Sequence, residues 1–252
     1  MEVRLQKIIS QWGIASRRQA EEMIKLERVR VNGVLAHLGQ KVDPETDTIA
    51  VDGKTVSASP RPVLTYLLIN KPAGVVSTCY DPQGRPTVLD ILPEELRASQ
   101  GIHPVGRLDA DSTGALILTN DGDLTFKLTH PRHNIPKTYH VLVKGHPSEE
   151  TLQIWREGVF LDKRKTRAAR VKLIEKIMGN SCLEIVLKEG RNRQIRRVGK
   201  KLGHPVIKLH RTAIGDLQLQ LSKNKYLPCG SFRYLTDKEV LYLQSSIAIN
   251  SD

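Results

Sequence analysis

The chain has few cysteines, few aromatic residues and no long apolar run, and each of these features limits the class of protein. Cysteine occurs three times in 252 residues, with no Cys-x-x-Cys pair, so a disulfide framework and a zinc site are both unexpected. No apolar run approaches the roughly 18 residues of a membrane span, and the N-terminus lacks the apolar core of a signal peptide. Aromatic residues make up only 4% of the chain. We therefore expect a cytoplasmic protein with no metal and no membrane association.

Acidic residues are also in deficit. Asp and Glu total 27 against 39 Lys and Arg, which gives a net charge of +12. Seven of the nine basic residues in positions 1–60 precede position 31, and nine more lie from Lys188 to Arg211 beside one acid, Glu189. Two such basic segments favour an extended polyanion as partner, because neutralising its phosphates releases bound counterions.

The first fifty residues predict two helices followed by a small sheet. Apolar residues in positions 5–12 follow the i, i+3, i+4, i+7 spacing of a buried helical face. Ser16–Gln19 has the form of a capping box that begins a second helix. Asn32-Gly33, after an alternating segment, is the strongest short signal for a hairpin. Thr48–Val51 predicts a further strand.

The rest of the chain mixes strands and helices without a regular βαβ rhythm, which predicts an α+β fold on a largely antiparallel, mixed sheet. The candidate strands are Leu64–Ile69, Ala115–Thr119, Thr138–Val143 and Cys182–Leu187, and the candidate helices are Ser148–Arg156 and Asn192–Leu202. We predict a small domain over residues 1–53, a linker rich in Ser and Pro over 54–62, a larger domain over 63–244 and a frayed tail over 245–252.

Basic side chains lie on or beside the predicted helices and hairpin of the small domain. They are Lys7, Arg17, Arg18, Lys25, Arg28 and Arg30. Arg17 and Arg18 follow the helix cap, so their side chains and the free helix amides could bind one phosphate. A solvated face balanced by acidic neighbours is the alternative. Residues 4–53 resemble the S4 RNA-binding domain through Ser16–Ala20 and Val29–Gly33, and the resemblance implies binding to structured RNA without implying catalysis.

The segment His103–Gly114 carries two carboxylates, Asp109 and Asp111. Such a pair could be the general acid and base of a glycosidase, although the basic surface and the scarcity of aromatic residues argue against sugar binding. A structural role in the loop is the other alternative. The residue types alone leave this choice open.

Five motifs occur in a fixed order in the larger domain. They are Asn70–Gly74, Gly106–Asp109, Leu118–Gly122, Lys137–Tyr139 and Glu189–Arg197. Together they resemble the RsuA/RluB branch of the pseudouridine synthases, and with the S4-like segment the resemblance covers nearly the whole chain. It implies an enzyme that flips a uridine of ribosomal RNA out of the stack, detaches the base from C1′ and rejoins it through C5. Substrate and product are isomers, so no cofactor is expected.

The resemblance also assigns roles to individual residues. Asp109 matches the catalytic aspartate, and Tyr139 matches a tyrosine that stacks on the flipped base, although a core tyrosine is the alternative. Arg196 matches the basic residue that pairs with the aspartate and keeps it ionised. Ile195 matches an apolar wall beside the base. The RNA contacts expected in this domain are Arg107, Arg191, Arg193 and Arg197.

Three hypotheses about function remain at this stage. A non-catalytic RNA-binding or ribosome-assembly factor would not need the Gly-Arg-Leu-Asp turn together with Tyr139 and Arg196, which favours an enzyme. The same chemistry on small-subunit rRNA is an alternative, although Asn192–Arg197 is more similar to the large-subunit enzymes. We expect a monomer whose partner is ribosomal RNA.

Overall fold

The computed structural model describes residues 2–56, 62–97 and 101–248. Its helices are α1 (Leu5–Gln11), α2 (Arg17–Lys25), α3 (Glu94–Arg97), α4 (Gly122–Thr129), α5 (Glu149–Glu157), α6 (Gln194–Lys201) and α7 (Asp237–Ala248), with 3₁₀ turns at Val88–Ile91 and Pro131–His133. Its strands are β1 (Val3–Arg4), β2 (Val29–Val31), β3 (Val34–Leu35), β4 (Lys41–Val42), β5 (Ile49–Val51), β6 (Lys54–Thr55), β7 (Tyr66–Lys71), β8 (His103–Pro104), β9 (Thr113–Thr119), β10 (Lys137–Lys144), β11 (Phe160–Leu161), β12 (Arg164–Lys165), β13 (Arg170–Ile177), β14 (Asn180–Leu187), β15 (Val206–Ile214), β16 (Leu217–Gln218), β17 (Gln220–Ser222), β18 (Lys225–Tyr226) and β19 (Phe232–Tyr234).

The chain divides into two compact units. The first comprises Met1–Thr65 with the later segments Leu92–His103 and Thr119–Gly122. The second comprises Tyr66–Ile91, Pro104–Leu118 and Asp123–Asp252. No helix in the described part of the chain combines the length and the apolar character that a membrane crossing needs.

Local signals in the sequence account for most of the first unit. The predicted capping box begins α2: the Ser16 hydroxyl accepts from the Gln19 amide at 3.3 Å, and the Gln19 side chain accepts from the Ser16 amide at 3.0 Å. Asn32 and Gly33 take φ values of 51° and 81° and join β2 to β3 as the predicted hairpin. The apolar faces of α1, α2 and the sheet β3-β2-β5-β6 form one core.

The first sheet extends beyond residue 53, where the small domain was predicted to end. β6 pairs antiparallel with β5 across the turn Asp52-Gly53, and Val56 packs against the core. Thr65 and Val63 are bonded to the Asn120 side chain, at 2.8 and 2.9 Å, within the first unit. The Asp-Gly turn therefore determines the local structure where composition suggested a linker. Residues 57–61 of that predicted linker lie outside the described residues.

The second unit is built on a sheet in the order β13-β14-β10-β15-β9-β7-β19. β10 pairs antiparallel with both β14 and β15, whereas β15 pairs parallel with β9. The predicted α+β class with a largely antiparallel, mixed sheet is confirmed. β9 is buried along almost its whole length, as expected of a strand covered on both faces.

The C-terminal segment differs from the predicted tail. α7 continues to Ala248, so residues 245–248 are helical, and residues 249–252 lie outside the described residues. Leu243 is fully buried, and Glu239 in the first turn accepts two bonds from Arg233 at 2.6 and 2.7 Å. These two contacts attach the helix to the sheet.

Candidate active site

The loop between β8 and β9 presents Asp109. Ser77 fixes the preceding residue, since its hydroxyl donates to the Leu108 carbonyl at 2.9 Å and accepts from the Leu108 amide at 3.1 Å. The Ser112 amide closes the turn on the Asp109 carbonyl at 3.0 Å. The backbone is thus held on both sides of Asp109, while the side chain keeps 31% exposure.

A fully buried lysine supports this loop from below. The Lys71 ammonium at the end of β7 donates to the carbonyls of Pro72 and Ser112 at 2.8 and 2.9 Å, and more weakly to Ala110 at 3.4 Å. Burial lowers the pKa of Lys71 to about 8, against the opposing charges of Asp111 and Asp109. In the sequence, Lys71 belongs to the motif Asn70–Gly74, which did not predict this supporting role. A lysine at the end of a buried strand was the available signal, because a buried cation requires partners.

The cation in contact with Asp109 is Arg193, whose Nη1 lies 3.2 Å from the carboxylate. Arg193 also donates to both Asp111 oxygens, at 3.0 and 3.3 Å. Arg196 instead lies 3.4 Å from the Asp111 carboxylate and donates to the Asp111 carbonyl and the Ser112 hydroxyl.

The expected pair between Arg196 and Asp109 is therefore corrected: within the described residues, the ion pair of Asp109 is with Arg193. The reason is local backbone geometry. Arg193 caps α6 in the left-handed conformation, with φ 47°, and its side chain reaches the aspartate loop. Arg196, at 13% exposure, is held by the acceptors of Asp111 and Ser112.

Asp111 is the anion that organises both arginines. Burial raises its pKa, but the hydrogen bond from Arg193 and the charges of Arg196 and Arg193 outweigh that effect and hold the pKa below its ordinary value. Asp111 is consequently ionised at neutral pH and holds Arg193, which also contacts Asp109, and Arg196.

One cavity of about 320 Å³ brings the predicted catalytic residues together. Its lining includes Asp109, Tyr139, Ile195 and Arg196. Tyr139 lies on β10 opposite Ile185 of β14 and Arg211 of β15. The cavity joins a carboxylate, an aromatic ring and an apolar wall, and its size is in the range of small-ligand pockets.

The predicted RNA contacts of the second unit occupy different environments. Arg107, Arg191 and Arg193 line the same cavity as Asp109. Arg191 also donates to the Arg164 and Lys165 carbonyls and pairs with Glu189. Arg197 forms an ion pair with Asp162 at 2.5 Å instead.

The predicted RNA contacts of the first unit differ in how far their side chains are already engaged by the protein. Arg28 pairs with Asp52 at 2.7 Å, Lys25 pairs with Glu22 at 3.4 Å, and Arg30 donates to the Gly33 carbonyl. Lys7 is partly buried on α1. Arg17 and Arg18, in the first turn of α2, are exposed and have no ion pair within the described residues. These two arginines are the most available to a phosphate.

Comparison with known proteins gives consistent matches over both units. Residues 65–200 match the model of the RNA pseudouridylate synthase family, and residues 3–49 match the S4 domain. The chain is 43% identical over 245 residues to the ribosomal large subunit pseudouridine synthase B of Bacillus subtilis, covering 96% of each chain. It is 36% identical over 254 residues to the protein of the same name from Vibrio vulnificus, covering 100% of this chain and 78% of that one. A crystal structure of a pseudouridylate synthase superposes with a TM-score of 0.68 at 30% identity, covering 96% and 99%.

Proposed function

This chain belongs to the RNA pseudouridylate synthase family, and we propose that it converts a uridine of large-subunit ribosomal RNA to pseudouridine. The observation that carries the proposal is the cavity in which Asp109 faces Tyr139 and Ile195. The names of the Bacillus subtilis and Vibrio vulnificus relatives support the large subunit as the source of the substrate.

The chemistry we propose is centred on the Asp109 carboxylate. The bond from N1 of uracil to C1′ breaks, the base rotates, and a bond from C5 to C1′ forms. The proton on C5 is lost and N1 gains one, so composition and oxidation state are conserved. A carboxylate can serve this sequence as nucleophile, as base, or as both. Arg193, whose Nη1 lies 3.2 Å from this carboxylate, would hold it in place for either role.

The remaining cavity residues would position the base. Tyr139 offers its ring for stacking and its hydroxyl for proton removal from C5, and Ile195 forms the apolar wall. The target atoms of a stacked base are unreachable, so the uridine must flip into the cavity. We assign Arg107, which lines the cavity next to the aspartate turn, to the RNA that surrounds the flipped nucleotide.

The S4 domain would supply most of the binding to the surrounding RNA, with Arg17 and Arg18 at its centre. We place the activity in ribosome biogenesis and in the cytoplasm, where the bacteria that hold the named relatives make their ribosomes. We propose a monomer, because one chain carries both the S4 domain that would bind the RNA and the cavity with Asp109.

The substitution Asp109→Asn tests the role of the carboxylate. We expect pseudouridine formation to fall at least about 10³-fold, because the change removes the reacting charge and preserves the shape. Affinity for RNA should change little. Pseudouridine is mapped in unmodified large-subunit and small-subunit rRNA after incubation with each protein.

The matched control is Asp216→Asn, the same change at an exposed position, which should leave turnover unaltered. Near-normal turnover by Asp109→Asn would overturn the assignment of Asp109. Pseudouridine that appears only in small-subunit rRNA would overturn the proposed target.

A further inference from the structure

A second cavity of about 330 Å³ adjoins the first, and Tyr139 and Arg107 line both. Seven of its lining residues are Lys or Arg, and one, Glu189, is acidic. That acid is already engaged, since it accepts from the Arg167 amide at 2.9 Å and from the Gln194 side chain at 2.7 Å. The cavity therefore has a strong positive excess.

Two of these cations lie on the sheet that carries Tyr139: Arg211 is buried and Lys137 is partly buried. Arg211 lies opposite Tyr139 in the pairing of β10 with β15, and Lys137 lies two residues before Tyr139 on β10. All three side chains line the second cavity.

The polar contacts of these two cations are incomplete. Arg211 has 4% exposure, and its Nε donates to the Ala115 carbonyl at 2.6 Å, but its Nη2 is buried and has no hydrogen-bond partner among the described residues. The Lys137 ammonium donates to the Ile135 carbonyl at 3.0 Å. Within the described residues, neither cation has a carboxylate at ion-pair distance.

This arrangement has an energetic cost in the free protein. Buried charges destabilise a fold unless they are paired, and here two like charges lie close together. Burial, together with the charge of Arg211, lowers the pKa of Lys137 to about 8. An oxyanion would supply both the missing negative charge and an acceptor for Nη2, and guanidinium groups bind phosphate in forked geometry.

We propose that this second cavity is a phosphate subsite that takes a backbone phosphate of the RNA beside the flipped uridine, with Lys137 and Arg211 as its ligands. The inference rests on the proposed function, because the shared wall of Tyr139 and Arg107 places the subsite next to the nucleotide over Asp109. Apolar residues in the lining, including Val105, Ile117 and Ile214, would lower the local dielectric and strengthen the contact.

The test uses the full chain with Lys137→Met and measures the Kd of inorganic phosphate and of an rRNA fragment that the unaltered protein modifies. We expect the Kd for the fragment to rise at least about 30-fold, because the loss of one buried charged contact weakens binding by this much or more. Phosphate binding should be lost. Lys137→Arg should restore both, and Lys172→Met, at an exposed lysine of β13, is the matched control.

Neutral methylphosphonate linkages, introduced one at a time around the target uridine, identify the source of the phosphate. At one linkage, the methylphosphonate should raise the Kd of the fragment for the unaltered protein. The same substituted fragment should bind Lys137→Met no more weakly than the unsubstituted fragment does. If phosphate binds through Lys137 but no linkage shows this coupling, the site takes a free anion and the assignment to RNA is overturned.

A separate measurement distinguishes a functional cation from a structural one. Lys137 is a partly buried charge with no carboxylate partner within the described residues, so its removal should leave the Tm of Lys137→Met unchanged or higher, whereas a marked fall would overturn the proposal. Unaltered RNA and phosphate affinities in Lys137→Met would also overturn it, even if the protein makes pseudouridine normally. If neither the unaltered protein nor any variant makes pseudouridine, the proposed function is refuted. The phosphate titration still tests the subsite in that case, because it does not depend on turnover.

Discussion

At the scale of single residues, the site depends on which arginine contacts which aspartate. Arg193 spans Asp109 and Asp111, while the polar partners of Arg196 within the described residues are Asp111 and its neighbour Ser112. Asp111 is therefore the shared partner of both cations, and its titration reports on both contacts.

We predict that Arg193→Gln raises the pKa of Asp111 toward its ordinary value, and that Arg196→Gln raises it by less. The Arg193 hydrogen bond is the largest influence that lowers this pKa, followed by the charge of Arg196. The pKa of Asp111 is lower in the folded protein than in the unfolded chain. The contacts of Asp111 with the two arginines therefore stabilise the fold above about pH 4, and this stabilisation is lost as the pH falls through the folded pKa. Carboxyl carbon chemical shifts measured against pH check both variants. A pKa that stays unchanged in Arg193→Gln would contradict the prediction.

The membership of the site could be predicted from sequence, but the pairing within it could not. The motifs pointed to Asp109, Tyr139, Ile195 and Arg196, and the structure places all four around one cavity; their catalytic roles stay predictions. The contact of Arg193 depends on a left-handed backbone at a residue other than glycine, which is uncommon and carries no sequence signal. The support from Lys71 depends on three carbonyls that only the folded loop brings together.

At the scale of secondary-structure elements, α6 is the support of the site. It presents Ile195 and Arg196, is capped by Arg193 and packs closely at Gly199. A Cβ at Gly199 would lie 2.7 Å from the His204 carbonyl oxygen and 3.3 Å from the Trp155 ring. The helix can approach its neighbours this closely only because position 199 has no side chain.

We predict that Gly199→Ala destabilises the protein by about 1–3 kcal/mol, the usual range for overpacking. Alanine would otherwise be favoured in a helix by roughly 1 kcal/mol, so the sign of the effect is informative. Gly122→Ala, at the first residue of α4 with open space around it, is the matched control and should be neutral or slightly stabilising. Chemical denaturation followed by circular dichroism measures both, and equal behaviour of the two variants would contradict the close contact.

Most elements with strong local signals were predicted well, although β6 was missed despite its local Asp52-Gly53 turn. The Asn32-Gly33 hairpin and the Ser16 cap follow from their own residues. The Ser and Pro residues near β6 suggested a linker in its place. The end of α7 was missed because the helix is held by contacts outside itself: Leu243 packs in the core of the second unit, and Glu239 binds Arg233 of β19.

At the scale of the whole molecule, positive charge is divided between the two units. Nine Lys and Arg of the second unit line one or both of the cavities. In the first unit, Lys25 and Arg28 pair with acidic side chains and Arg4 and Arg30 donate to backbone carbonyls. Arg17 and Arg18 are exposed and make no ion pair within the described residues. The 39 Lys and Arg of the chain therefore outnumber the cations that are available to RNA.

We predict that the double variant Arg17→Gln, Arg18→Gln weakens RNA binding and reduces the slope of log Kd against log salt concentration by about 1–2. Each phosphate contact that is lost removes nearly one released counterion from that slope.

The matched control removes two exposed lysines of β13, in the variant Lys172→Gln, Lys176→Gln, with the same change in net charge. If binding depended on net charge alone, both double variants would show the same slope, and the role assigned to the first turn of α2 would fail. A smaller slope in the arginine variant alone would locate the phosphate contacts on the S4 domain. The kcat of that variant at saturating RNA should then stay unchanged, because Asp109 and its cavity belong to the second unit.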